Sequence, residues 1–268
     1  TTHNAYGSVT IRLERSGSEN TMNASTTSRV GIPQRTLRMK ITLEDQLGLA
    51  ALSWAGLVIF TMAVVTGVSF ARDIVISGWD VATGIIPWYA AFIGGYVLHT
   101  VLPIHIAHGR TRRDFAIEVL AFSGIFTTLL ALLATAGFAI EQGLYALAGW
   151  SREAPDDHLF SSYTDYATIF AEYWLMVLVW TAAGALIGAA IYRSPEGGWL
   201  AFIPALVLVG LAGLGTEPRL GPLAFIVDRL DIEADPSLPL AAAMSVACYL
   251  AALAMTWPIM RNMPLRNR

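Results

Sequence analysis

Charge is scarce in this chain of 268 residues: Asp, Glu, Lys and Arg together make up 14% of it, while 55% of the residues are hydrophobic. Soluble domains carry about 25% charged residues, so the balance argues against a water-soluble globular domain and for apolar helices in lipid. Lysine is nearly missing. Sixteen Arg and the single Lys40 stand against 20 acids, and the net charge of −3 gives no basis for nucleic-acid binding. Lys40 lies between Met39 and Ile41, whereas a phosphate-binding P-loop needs Gly-Lys followed by Ser or Thr. The chain therefore has no ATPase motif of that kind. Its one cysteine, Cys248, excludes an intrachain disulfide and leaves the redox compartment open. Cys248 sits among Ala, Val, Tyr and Leu as inert packing, and neither Gly-x-Ser-x-Gly nor His-Glu-x-x-His occurs. No catalytic residue and no metal is assigned.

What is present are long apolar runs. Residues 1–36, rich in Ser, Thr, Asn, Gly and Arg, read as a disordered polar tail or an upstream extension, without the apolar core and cleavage site of a secretory signal. Leu37, Ile41, Leu43 and Leu47 among Arg35, Arg38, Lys40, Glu44 and Asp45 then predict an amphipathic interfacial helix at the start of the domain 37–268. Runs long enough to cross about 30 Å of hydrocarbon follow at 49–71, 85–106, 115–140, 167–192, 199–215 and 238–260. The expected fold class is thus an all-α integral membrane protein with six transmembrane helices. The stretch Leu144–Trp150 within 141–166, and the segment from Gly221 within 216–237, read either as re-entrant or interfacial helices on the outer side or as ordinary solvated loops. Trp54, Trp79, Trp88, Trp150, Trp174 and Trp199 fall near the ends of spans and read as interface anchors.

Basic residues are retained on the cytoplasmic side of a membrane. With both termini inside, thirteen of the 17 basic residues are cytoplasmic, and only Arg72, Arg152, Arg219 and Arg229 lie outside. The expected location is a cell or bacterial inner membrane, multi-pass, N-in and C-in. No internal repeat is evident, which weakens an inverted-repeat transporter.

Two connections carry the functional reading. Between the second and third spans lies His108-Gly109-Arg110-Thr111-Arg112-Arg113-Asp114, a short cationic turn in which Gly109 permits tight reversal and Arg110 can pair with Asp114. By itself such a turn is also what positive-inside retention requires. The fourth span ends in Gly184-Ala-Leu-Ile-Gly188, a small-residue face for close helix packing, followed by Tyr192-Arg193 and Gly197-Gly198. With the six spans and the lead-in helix, these turns resemble the permease subunits of type-two, export-class ABC transporters over roughly residues 37–260. The resemblance implies that residues 108–114 contact a separate ABC ATPase subunit through a coupling helix. ATP and Mg would then be bound by that partner, with no cofactor on this chain. It also implies a homodimer or a pair of paralogous halves, moving an amphipathic or hydrophobic substrate outward.

Ionisable groups in spans are expensive and often mark a pathway. Glu118, Glu141 and Glu172 border the spans and read as interfacial and solvated; of the three, Glu172 is the pathway candidate, with Tyr173 and Trp174 as an amphipathic wall. His99, inside a span, is a further pathway candidate, although a lone histidine there more often bonds a neighbouring helix than a ligand. A haem site is disfavoured, since His105 and His108 share the helix of His99 or its end, and His158 and His3 lie elsewhere. His105-x-x-His108 lacks a third ligand nearby. The alternative to the ABC reading is another membrane protein, a secondary transporter or the membrane anchor of a redox enzyme.

Overall fold

A computed structural model describes residues 48, 52–61, 63–64, 66–67, 77–150, 158–216 and 237–262. All of these except Gly48 belong to the unit Leu49–Arg268. The polar tail, the expected interfacial helix and the segment 217–236 lie outside the described residues. Every regular element among the described residues is helical. They are α1 (Leu52–Thr61), α2 (Gly78–Thr83), α3 (Ile86–Tyr96), α4 (Leu102–Ala107), α5 (Arg112–Ala148), α6 (Tyr166–Arg193), α7 (Pro195–Thr216) and α8 (Leu238–Arg261), with a π-helical turn at Val97–Val101.

Among the described residues, five helical segments are long and apolar enough to cross a membrane: Gly78–Ala107, comprising α2 to α4, then Arg112–Ala148, Tyr166–Arg193, Glu196–Thr216 and Leu238–Arg261. Of the expected first span, 49–71, the described residues include the short apolar α1. Helix α5 has 37 residues, about 56 Å at 1.5 Å per residue, which exceeds the hydrocarbon thickness of about 30 Å. Its far end absorbs Leu144–Ala148, so this stretch is not a separate interfacial or re-entrant helix. Gly149, at φ 70°, terminates α5 in the left-handed conformation while its N–H reaches back to the Tyr145 carbonyl.

Helix α6 is the centre, packed against α3, α5, α7 and α8. Its sequence explains the position, because Ala182, Ala183, Gly184, Ala185, Gly188, Ala189 and Ala190 are all buried and let neighbouring backbones approach. A Cβ on Gly184 would overlap the Ala91 carbonyl, one on Gly188 the Gly95 carbonyl, and one on Gly94 the Thr181 carbonyl. The GxxxG face of α6 therefore meets the Gly94-Gly95 pair of α3 backbone to backbone.

The π-turn has a local cause. Pro103 has no N–H to give the His99 carbonyl, the ladder loosens, and the Leu102 N–H bonds instead to the Val97 carbonyl. Trp79 is fully buried, and its indole N–H donates to the Ala134 carbonyl at 2.9 Å. It is a core residue rather than the expected interface anchor, because the indole finds a carbonyl inside the bundle. Trp54 likewise donates to the Leu133 carbonyl, at 2.6 Å. Trp88 and Trp199 are exposed.

Candidate functional site

At the end of the bundle that carries the start of α2, four ionisable side chains converge. Ser77 is the N-cap of α2: its hydroxyl oxygen accepts from the Asp80 N–H at 3.1 Å, satisfying one orphan donor of the helix end. The Ser77 hydroxyl in turn donates to Glu141 Oε2 at 2.5 Å, and the Trp79 N–H donates to Glu141 Oε1 at 2.9 Å. A fully buried carboxylate from α5 thus closes the N-terminus of α2, where the helix dipole favours negative charge.

Glu172, in the second turn of α6, is also fully buried. It accepts from the Leu159 N–H at 2.8 Å and pairs with His158 Nδ1 at 2.7 Å. The other ring nitrogen, Nε2, lies 3.2 Å from Asp80 Oδ1, and the ring stacks on Phe160 with centroids 4.6 Å apart. An imidazole with a carboxylate at each nitrogen donates from both, which is the protonated form. Burial alone would lower its pKa, but the hydrogen bonds to Asp80 and Glu172 prevail and raise it from 6.5 to about 10. His158 therefore pins the segment 158–165 to α2 and α6. Beside it, the Thr83 hydroxyl donates to the Asp80 carbonyl at 2.6 Å and accepts from the Tyr173 hydroxyl at 2.7 Å.

Next to this cluster is a cavity of about 500 Å³ whose wall includes Asp80, Trp88, His158, Tyr173, Trp180 and Ser245. Glu172 is not in that wall, and it is buried rather than solvated as its place at a span end suggests. Each of its oxygens has a partner inside the bundle, and the carboxylate in the cavity wall is Asp80, beside His158. Of the other expected wall residues, Tyr173 lines this cavity. Trp174 turns to α5, where its indole donates to Thr128 Oγ1 at 3.1 Å. His99 is not brought to this end: it lies in the π-turn, edge-on to Tyr192 at 5.9 Å.

At the opposite ends of α4 and α5, His108 to Thr111 form a tight turn with Gly109 at φ 77°. No separate short helix lies between α4 and α5, because Arg112 already begins α5. Thr111 is the N-cap, accepting from the Asp114 N–H at 3.1 Å and donating to Asp114 Oδ2 at 2.9 Å. Asp114 is thereby drawn into the cap, and the expected Arg110–Asp114 pair does not form. Arg110 instead reaches Glu118 at 2.8 Å, and His105 lies 3.8 Å from the same carboxylate. Arg112 donates to the Arg261 carbonyl at the end of α8. The turn is thus tied to α4, α5 and α8, while Arg113 is exposed. Among the described residues no three His, Cys, Asp or Glu side chains are grouped to hold a metal.

Asp80 and His158 are site residues not expected from the sequence. A signal for the first existed in Ser77-Gly-Trp-Asp80, a Ser-x-x-Asp capping pattern immediately before an apolar run. His158 gave none, since its two partners lie 78 and 14 residues away.

No protein-family model, curated protein or solved structure matches the chain.

Proposed function

We propose that the chain is the membrane half of an ATP-driven exporter, a permease of the type-two ABC class, with six spans and both termini cytoplasmic. Residues 49–71 then supply the first span, and the Gly78 end of the bundle faces outward. The observation that carries the reading is the construction of the turn at 108–114. A compact, cationic, capped turn is bonded to two other helix ends, and it leaves Arg113 exposed. An acidic groove on a separate ATPase would attract such a surface. Movement of the docked turn would pass as a rigid-body shift into α4, α5 and α8. A second permease copy or a paralogous half would complete the pathway, and ATP and Mg would be held by the ATPase. The expected cargo is amphipathic or hydrophobic, moved outward.

The test is mild-detergent purification of the full chain from its native host, with partners identified by mass spectrometry. A stoichiometric P-loop ATPase with wild type, lost with Arg113→Glu while the permease stays monodisperse, is the expected result. Arg113 is preferred to Arg112 because the latter also holds α8. Absence of any such ATPase, under conditions that keep membrane oligomers intact, would overturn the reading in favour of a secondary transporter or a redox anchor.

A further inference from the structure

We infer that the cavity beside Asp80 is a binding site for an amphipathic organic cation. The inference rests on the exporter reading only in making that cation the cargo; the site itself is argued from the cavity wall. Its volume, about 500 Å³, falls within the 300–1,000 Å³ usual for small-molecule pockets.

The wall has three parts with different chemistry. Trp88 and Trp180 form an edge-to-face pair at 4.9 Å, and Met176, Val179 and Val209 extend the apolar surface. Aromatic faces attract organic cations through the ring quadrupole. Asp80 supplies an anion: two carboxylates, Asp80 and Glu172, bracket one imidazolium, leaving one negative charge in excess. Glu172 is enclosed and Asp80 is a quarter exposed in the wall, so the excess is offered to the cavity by Asp80. The third part is Ser245 of α8. It is fully buried and lines the cavity, and among the described residues its hydroxyl has no hydrogen-bond partner. Its oxygen has almost no accessible surface, so it adds polarity behind the wall rather than a bond offered to a ligand. An anion is disfavoured by Asp80, and a purely apolar ligand would strip water from the exposed part of that carboxylate without replacing it.

The probe is tritium-labelled tetraphenylphosphonium, bound to the full-length chain in nonionic detergent, with neutral triphenylphosphine oxide as competitor. Saturable binding is expected, with the neutral compound displacing the probe only at about tenfold higher concentration or more. Asp80→Asn should weaken binding about tenfold, and Trp88→Leu about threefold. Trp88 is 61% exposed, so its variant keeps the fold and decides the matter together with the competitor if Asp80→Asn is not monodisperse. Unsaturable binding, equal displacement by the neutral compound, or unchanged affinity in the folded variants would overturn the site. The assay contains no ATPase. Binding without an ATPase partner sinks the exporter reading alone, and an ATPase partner without binding sinks the cation site alone.

Discussion

Replacing His158 by Gln removes a charge from between two carboxylates, one of them fully buried. The groups that face His158 include Asp80 from α2, Glu172 from α6 and the Phe160 ring in its own segment. Breaking a buried ion pair from one side costs about 3–5 kcal/mol, because the remaining carboxylate stays buried without its counter-charge. Glutamine retains an amide donor for one carboxylate, so the lower end, about 3 kcal/mol, is expected near neutral pH. The loss has a definite pH dependence. The folded-state pKa of His158, about 10, stands above the unfolded value of 6.5. Its contribution is therefore complete below pH 6.5, falls as the pH rises, and is gone above about 10. In that window the slope reaches at most about 1.4 kcal/mol per pH unit. The assay is thermal unfolding of the purified chain in detergent, followed by tryptophan fluorescence from pH 6 to about pH 10.5, for wild type and His158→Gln side by side. Wild type should unfold higher by about 6–12 °C at the acid end, and the two curves should converge at the alkaline end. Curves that run parallel over the whole range would refute the charged clamp.

Two further outcomes test the packing and the turn. Gly184→Ala should destabilise by about 1–3 kcal/mol because its Cβ meets the Ala91 carbonyl, while Gly124→Ala, with nothing within 4 Å, should stabilise by up to about 1 kcal/mol through helix propensity. Unfolding midpoints that move the same way in both would sink the backbone-to-backbone contact of α3 and α6. Thr111→Ala removes the cap of α5 and should cost about 1 kcal/mol, with faster amide exchange confined to the first turn after residue 111; unchanged exchange there would deny the cap its role.

The helical membrane class was legible in the sequence because it depends on composition and run length, which no packing can alter. Lipid cannot satisfy backbone groups, so a long apolar run of this kind must become a helix, and the ends of the runs at 167–192 and 238–260 fall within a residue of α6 and α8. The small-residue face of Gly184 and Gly188 was legible for the same local reason, although its partner, Gly94-Gly95 on α3, was not. The tertiary structure alone decided where the charges go. Glu141 and Glu172 stand at the ends of apolar runs, a position equally suited to solvent or to burial, and only the assembled fold supplies the donors that make burial tolerable, Ser77 and Trp79 to the first and His158 and Leu159 to the second. The same holds at the basic turn, where the four-residue spacing of Arg110 and Asp114 suggests a pair, but Thr111 claims the carboxylate for a cap and leaves the guanidinium to Glu118. Local spacing fixes which partners are within reach. Which of them wins depends on how many orphan donors and buried acceptors the assembled helices bring to one place.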